Sequence, residues 1–168
     1  MPIKIFGAIL IITAGSVYGF SRAEKLAKRE RSLIALKTAF RILESEISFT
    51  SSHLKHAFLH IHNIMKCGKL FELAAMNIEL TGISSAWCEA VEKEKKALCL
   101  TDKDAEILKT LASELGHSDR EHQTKNINHV SALLSQAIED AHNEYTTSAK
   151  LYRNMGILGG IFIVLILF

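Results

Sequence analysis

Hydrophobic residues concentrate at the two ends of the chain, and between the ends they recur at helical spacing. No side chain carries a charge from Ile5 to Ser21 or from Asn154 to Phe168. A helix rises about 1.5 Å per residue, so the first segment would cover roughly 25 Å of a hydrocarbon core about 30 Å thick. We interpret residues 5–21 and 154–168 as transmembrane segments, and residues 22–153 as a cytosolic body between them.

Alternatives exist for both apolar segments. The first could be a cleaved signal peptide, because Lys4 precedes the apolar run and the small residues at 13–15 would suit cleavage. The apolar run continues past that stretch and basic residues follow it, which favours an anchor. The second segment has fifteen residues, and this length leaves open whether it crosses the bilayer fully. Its glycines, Gly156, Gly159 and Gly160, would permit close helix packing in lipid.

The body carries helical patterns over its whole length. Apolar residues at alternating steps of three and four predict a long first helix, and a similar stripe predicts a long last helix that leads into the second apolar segment. Four shorter helices lie between them and are delimited by Gly68, Gly82, a capping box at Thr101 and Asp104, and Gly116. The predicted fold class is all-α, an antiparallel helical bundle of about six helices flanked by two transmembrane segments.

Particular residues are assigned to this bundle. The candidate core and structural positions are Leu33, Leu36, Phe40, Leu43, Trp87, Leu111, Leu134 and Gly116. We place the start of the fourth helix at Ser84 or Ser85 and extend it to Leu98. Tyr145 and Tyr152 continue the stripe of the last helix and are expected to be interior or interfacial.

The composition agrees with a helical protein and argues against β-sandwich or barrel folds and against a nucleic-acid-binding protein. The only proline is Pro2, whereas a β-sandwich or barrel would need many proline and glycine turns. A net charge of +2 and 7% aromatic residues provide neither the charge nor the stacking rings for nucleic acid, so no nucleic-acid partner is expected. The three cysteines form no CxxC pair, so we expect free thiols in a reducing compartment.

Basic residues flank the apolar segments unevenly. The membrane-flanking basic residues are Lys4 before the first segment, and Arg22, Lys25, Lys28, Arg29, Arg31, Lys150 and Arg153 on the side of the body. The positive-inside rule therefore directs the body to the cytosol and both termini outward. The same basic stretch also suits anionic lipid headgroups.

Candidate catalytic and metal-binding groups are incomplete. His53, His56 and His60 share one helix face at i, i+3 and i+7, but one helix seldom provides a full metal shell. Glu139 and His142 match the Glu-x-x-His element of di-iron bundles, which needs a second copy that this sequence lacks. The sequence has no glycine-rich phosphate loop, GxSxG or HExxH motif. We therefore expect a protein that is not an enzyme, with no catalytic residue, metal or cofactor.

Two short motifs carry a resemblance to a known family. Leu-Glu-Ser-Glu-Ile occupies 43–47 on the long first helix, and Leu-Gly-x-x-Asp-x-x-x-Gln runs from Leu115 to Gln123. With the short N-terminal anchor and the glycine-rich C-terminal anchor, they make essentially the whole chain resemble the stage III sporulation protein AB family. That family in turn resembles the cytoplasmic domain of the F-type platform proteins of type II secretion and type IV pilus machines, an antiparallel helical bundle.

This resemblance implies a function and a location. It implies a membrane platform or adaptor in the channel complex that joins mother cell and forespore during endospore formation. It places the chain in the outer forespore membrane with the bundle in the mother-cell cytosol. The expected partners are the membrane, other stage III sporulation channel proteins, a cytosolic secretion-type ATPase and further copies of the chain. The alternatives are a membrane-anchored helical signalling module and, less favoured, a metal-binding helical bundle.

The turn from Leu115 to Gln123 is the element outside the membrane that we associate most closely with function. Asp119, Arg120 and Gln123 would lie on the first turn of the longest helix. Two interpretations are open. Asp119 could only assist helix capping, where a carboxylate is favoured by the helix dipole. Alternatively, Asp119, Arg120 and Gln123 could make a polar contact with another helix or with a partner protein.

Overall fold

The structure is a computed structural model that describes residues 2–47, 54–65, 67–112 and 120–167, with side chains described for 5–47, 54–65, 67–112 and 124–167. Six α-helices follow in chain order: α1 Pro2–Ser45, α2 Leu54–Ile64, α3 Leu70–Thr81, α4 Ile83–Glu94, α5 Asp102–Thr110 and α6 Arg120–Leu167. The described ranges contain no strand, so the prediction of an all-α protein with long apolar terminal helices is confirmed.

The chain divides into two units, each compact by itself. The terminal unit consists of Met1–Glu30 and Asp140–Phe168, and the bundle unit consists of Arg31–Glu139. Helices α1 and α6 contribute residues to both units, whereas α2 to α5 belong to the bundle unit alone. The sequence has no proline after Pro2, so neither long helix contains an interior proline that would break its backbone hydrogen bonds.

Four aromatic rings from four helices meet in the core of the bundle unit. Phe40 of α1, Phe58 of α2, Phe71 of α3 and Trp87 of α4 are each at most 1% exposed. The ring centroids of Phe58, Phe71 and Trp87 are 5.5–5.6 Å apart, and that of Phe40 lies 5.9 Å from Trp87. Tilted and edge-on pairs at such distances add about 0.5–1.5 kcal/mol each beyond their burial. This aromatic cluster therefore joins α1, α2, α3 and α4.

The indole of Trp87 also links α4 to α5. Its Nε1 donates a 2.7 Å hydrogen bond to the backbone carbonyl oxygen of Leu108. Leaving a buried donor of this kind without a partner would cost about 1–3 kcal/mol, so the bond fixes the orientation of the ring. The other core positions assigned from the sequence are at most 1% exposed as well: Leu33, Leu36, Leu43, Leu111 and Leu134. Gly116 lies outside the described residues.

Helix α6 contributes a narrow buried stripe to the bundle unit. Ile127, Val130, Leu134 and Ala137 are at most 3% exposed and follow one another at steps of three, four and three. This is the spacing of a helix that packs along a partner helix, with the small Ala137 completing the stripe. In the same unit the side-chain amide of Asn128 on α6 donates a 2.7 Å hydrogen bond to Glu44 on α1.

Helix α5 begins with the predicted capping box, which is confirmed. The Thr101 hydroxyl accepts a 3.2 Å hydrogen bond from the backbone N–H of Asp104, and the Asp104 carboxylate accepts one of 2.9 Å from the N–H of Thr101. The Asp104 side chain is completely buried. Because the box satisfies two N–H groups that the first turn of a helix leaves without partners, it determines where α5 begins.

Helix α4 differs from its prediction at both ends. It begins at Ile83, directly after Gly82, one residue before Ser84 and two before Ser85, and no side chain caps it. Gly82 has φ +81° and is the single residue between α3 and α4, which leaves no space for a serine cap. The helix ends at Glu94, and Leu98 lies in the turn that follows, although it remains buried.

Gly68 occupies the turn between α2 and α3. The sequence pattern predicts that it ends α2, but α2 ends at Ile64 and Gly68 instead lies just before α3. Its φ of +61° is in the left-handed region. The carboxylate of Glu94 accepts a 3.0 Å hydrogen bond from the backbone N–H of Lys69 and occupies the space beside Gly68.

We expect Gly68→Ala to destabilise the protein more than Gly82→Ala does. Both glycines have a positive φ, and Gly82 also has ψ 162°, so alanine carries a backbone cost of about 1–3 kcal/mol at either position. A Cβ at Gly82 would meet nothing within 4 Å, whereas one at Gly68 would displace the Glu94 carboxylate. Losing the hydrogen bond to Lys69 would add about 0.5–1.5 kcal/mol. Urea unfolding followed by Trp87 fluorescence measures both variants, and equal unfolding midpoints would contradict this expectation.

Candidate functional site

The two terminal helices pack backbone against backbone in the terminal unit. A Cβ built on Gly19 of α1 would lie 2.5 Å from the carbonyl oxygen of Tyr152 on α6. A Cβ built on Gly160 would lie 3.0 Å from the Cα of Ile12. Because the later residue of α1 meets the earlier residue of α6, the two helices run antiparallel.

Two pairs of glycines make this approach possible. Gly15 and Gly19 are four residues apart on α1, and Gly156 and Gly160 are four residues apart on α6. A Cβ on Gly15 would lie 2.6 Å from the carbonyl oxygen of Gly156, and one on Gly156 would lie 2.5 Å from that of Gly15. We call these four residues the glycine contact. Small residues at this spacing let helix backbones touch in lipid, where packing drives helix association.

The glycine contact differs in part from the sequence prediction. Gly156 and Gly160 belong to it, but a Cβ on Gly159 would meet nothing within 4 Å. Adjacent residues are about 100° apart around a helix, so Gly159 faces away from the surface that Gly160 presents. Sequence reasoning missed Gly15 and Gly19. The signal that could have found them is the G-x-x-x-G spacing shared by both apolar segments.

The outer faces of both terminal helices are apolar and exposed. Helices α1 and α6 each contain a stretch long and apolar enough to cross a membrane, and only 6% of each stretch is buried. The exposed side chains include six that are each at least 55% accessible: Phe6, Ile9, Val17, Leu158, Phe162 and Leu165. Water disfavours a continuous apolar surface of this kind, whereas lipid accommodates it.

Polar and charged side chains join the two helices further from their apolar ends. Nη1 of Arg29 lies 2.7 Å from Oε2 of Glu144, and the Arg29 side chain is only 10% exposed. Nδ1 of His142 lies 2.8 Å from Oε1 of Glu30. Partial burial strengthens a charge-assisted hydrogen bond such as that of Arg29. These two pairs therefore hold α1 and α6 together within the terminal unit.

A cluster of basic side chains lies between the glycine contact and these pairs. We call it the basic collar; its members, all exposed, are Arg22, Lys25, Lys28, Lys150 and Arg153. Nε and Nη2 of Arg22 donate hydrogen bonds of 3.2 and 3.1 Å to the Tyr18 hydroxyl. Nε of Arg153 donates one of 3.3 Å to the carbonyl oxygen of Ala149.

Other residues assigned to the membrane flanks lie elsewhere. The side chain of Lys4 lies outside the description. Arg29 is buried and belongs to the pair with Glu144 described above, and Arg31 is an exposed residue of the bundle unit. Tyr145 is half-buried, and Tyr152 is 41% exposed, so only the backbone of Tyr152 enters the helix contact.

Potential metal ligands in the bundle unit are dispersed. Nδ1 of His60 lies 2.9 Å from Glu46, and Nε2 of His62 lies 3.8 Å from Glu72. Among the described residues no three His, Cys, Asp or Glu side chains are grouped so that they could hold a metal ion; His53 lies outside that part. Burial raises the pKa of the Cys67 thiol to about 11, so this thiol is protonated and unreactive at neutral pH.

The predicted partner contact falls largely outside the described residues. Asp119 is not among them, and neither is Gly116. Arg120 is the first residue of α6 and Gln123 follows on its first turn, but the side chains of both lie outside the description. The placement of Arg120 and Gln123 on the first turn of the longest helix agrees with the sequence prediction.

These observations define a class of protein: an all-helical chain whose two long terminal helices are apolar and pack on each other through glycines. The family model described as Stage III sporulation protein AB matches residues 4–168. The chain therefore belongs to the stage III sporulation protein AB family, and the family predicted from the sequence motifs is confirmed.

Known relatives resemble this chain in sequence and in structure. The Stage III sporulation protein AB of Bacillus subtilis (strain 168) is 27% identical over 169 residues, which cover 98% of this chain and 99% of the relative. A solved structure described as Stage III sporulation protein AB (SpoIIIAB) superposes with a TM-score of 0.65 at 25% identity. The superposition covers 70% of this chain and 96% of the solved one.

Proposed function

We propose that this protein is a membrane platform or adaptor, not an enzyme, of the secretion-like channel complex that joins mother cell and forespore during endospore formation. The observation that carries the proposal is the glycine contact, which holds together two apolar helices that are each continuous with a helix of the bundle unit. Membership of the stage III sporulation protein AB family supports the assignment to sporulation.

A platform must be attached firmly to the membrane, and several features support this role. Helices α1 and α6 contain 44 and 48 residues. Pro2 is the first residue of α1, and no proline follows it in either helix, so neither is interrupted. Both helices contribute residues to the terminal unit and to the bundle unit. Within the terminal unit the two helices are held by the glycine contact and by the pair of Arg29 and Glu144. We infer that force on the bundle is transmitted to the membrane along these helices.

The proposed orientation follows from the basic collar. All its members lie on the body side of the two apolar segments, and the positive-inside rule assigns such a side to the cytosol. We propose the outer forespore membrane as the location, with the bundle in the mother-cell cytosol. The proposed partners are other stage III channel proteins, a secretion-type ATPase and further copies of the chain. Asp119, Arg120 and Gln123 remain the proposed contact with one of them.

Deleting the gene from its endospore-forming host tests the function. We expect vegetative growth to be normal and heat-resistant spores to be lost, because a channel platform is needed only once the forespore exists. A copy of the wild-type gene should restore the spores. Crosslinked protein from sporulating cells should carry other stage III membrane proteins with it. Normal spore yield without the gene would refute the proposal.

The orientation has its own test. Lys96 is exposed in the bundle unit, so Lys96→Cys, in a chain whose three native cysteines are replaced by serine, gives one accessible thiol. An impermeant maleimide should label this thiol only after protoplasts are lysed. A matched Lys69→Cys variant, exposed at another site of the same unit, should behave identically. Rapid labelling of intact protoplasts at both positions would place the bundle outside the cytosol and contradict the proposal.

A further inference from the structure

We propose that the basic collar binds the phosphate groups of anionic phospholipids in the leaflet that surrounds residues 22–28 of α1. This inference rests on the membrane anchoring contained in the proposed function. It adds a ligand class and the site that binds it. The site consists of the collar cations together with the hydroxyl of Tyr18.

The collar lysines have no acidic partner within the described part of the chain. No carboxylate there lies within 4.0 Å of Lys25, Lys28 or Lys150. A few residues further along the same helices the pattern changes, because Arg29 is paired with Glu144. The charge of Arg29 is thus neutralised by a carboxylate of the neighbouring helix, whereas the collar lysines present their charge to the surroundings.

The collar lies at the depth where lipid phosphates are found. Gly19 of α1 and Tyr152 of α6 lie at the same height along the helix axes. Because the helices are antiparallel, Arg22 and Lys150 differ in height by less than one helical turn. Arg22 and Lys28 are six residues apart, which is roughly 9 Å along a helix. The headgroup layer outside each face of the hydrocarbon core is about 5–8 Å thick. Long basic side chains extend along the helix surface, so all the collar cations can reach this layer.

Tyr18 and Arg22 form the most specific part of the site. The Tyr18 hydroxyl accepts hydrogen bonds from two nitrogens of Arg22, and the tyrosine ring centroid lies 5.5 Å from the Cζ of Arg22. The hydroxyl can still donate its own proton, and Nη1 of Arg22 is not used in this contact. The two side chains therefore offer neighbouring donors to the oxygens of one phosphate.

The charge balance around the collar favours anionic over zwitterionic lipid. Residues 18–28 and 149–153 contain five cations and one carboxylate, Glu24, which gives a net charge of five minus one, or +4. A zwitterionic lipid brings its own ammonium group near these cations, so its net electrostatic attraction to the collar is small. An anionic lipid has a phosphate charge that no ammonium group compensates, so it is attracted more strongly, and salt weakens this attraction.

Reconstitution of the full-length chain into phosphatidylcholine vesicles tests the site. Trace spin-labelled phosphatidylglycerol or phosphatidylcholine reports how much of each lipid the protein immobilises. We expect the wild type to immobilise phosphatidylglycerol severalfold more than phosphatidylcholine, with a smaller preference at about 0.5 M salt. Replacing Arg22, Lys25, Lys28 and Lys150 together by glutamine should abolish the preference, since the uncharged side chains keep similar size and polarity.

Matched variants separate the collar from basic charge in general. Lys69→Gln with Lys96→Gln removes two exposed cations of the bundle unit and should leave the lipid preference unchanged. Tyr18→Phe keeps the ring and every charge but removes the hydroxyl, so it should lower the preference in part. An unchanged preference in Tyr18→Phe would overturn the role of that hydroxyl.

The outcomes distinguish the lipid site from the proposed anchoring. If the wild type immobilises both lipids equally, or if the glutamine variant keeps the preference, the lipid site is refuted while anchoring stands. If the wild type immobilises neither lipid, the chain is not inserted, and both the anchoring and the lipid site are refuted. Equal immobilisation of phosphatidylcholine by wild type and variants verifies that the variants insert normally.

Discussion

Gly156→Leu is expected to separate the two terminal helices. A Cβ at position 156 would lie 2.5 Å from the carbonyl oxygen of Gly15 and 3.0 Å from the Cα of Gly19. Both are backbone atoms, so no side-chain rotation relieves the clash and the helices must move apart. Overpacking of this kind costs about 1–3 kcal/mol, which is roughly five- to 150-fold in the pairing equilibrium. In lipid the larger side chain brings no compensating hydrophobic gain between helices.

Gly159→Leu is the matched control for this expectation. It adds the same side chain to the same helix three residues later, where a Cβ meets nothing within 4 Å. Hydrogen–deuterium exchange of the full-length chain in lipid nanodiscs measures the effect at residues 22–30 and 140–153. Exchange there should be at least about fivefold faster in Gly156→Leu and unchanged in Gly159→Leu. Similar exchange in the two variants would show that the glycine contact does not hold the helices together.

Features that depend on neighbouring residues in sequence could be predicted from the sequence. The capping box at Thr101 and Asp104 forms as expected, because both partners lie within one helical turn. Gly82 ends α3 as expected, because its left-handed φ suits glycine. The predicted start of α4 at Ser84 or Ser85 was one or two residues late, because Gly82 alone connects α3 to α4 and the helix begins directly after it at Ile83.

Features that depend on residues far apart in the chain could not be predicted in the same way. Arg29 and Glu144 are 115 residues apart, and nothing local to either residue identifies the other. The assignment of Leu33 to the core follows from its helical spacing, but spacing does not specify which helix covers it. The glycine contact lies between these two cases, because it could be predicted from the sequence only in part. Each G-x-x-x-G motif is visible locally, but its meaning depends on the pairing of two segments at opposite ends of the chain.

The aromatic cluster is the feature of the bundle unit whose loss should have the largest effect on stability. Phe71 contacts all three other rings, with its ring centroid 5.6 Å from that of Phe58, 5.5 Å from that of Trp87 and 6.3 Å from that of Phe40. It is 1% exposed and comes from α3, while its neighbours come from α2, α4 and α1. A cavity at this position would therefore weaken contacts among four helices at once.

Phe71→Ala should lower the free energy of unfolding of the bundle unit by about 3–5 kcal/mol, the usual cost of removing a buried ring. Phe71→Leu keeps most of the volume and should cost less, because the remaining void is smaller. Leu80→Ala on the same helix is the control, since Leu80 is 82% exposed and its truncation should change the free energy by no more than about 0.5 kcal/mol. The chain has one tryptophan, Trp87, so its fluorescence during urea unfolding of the full-length protein reports the bundle unit alone. If Phe71→Ala unfolds at the same urea concentration as Leu80→Ala, the cluster is not the stabilising centre of the bundle.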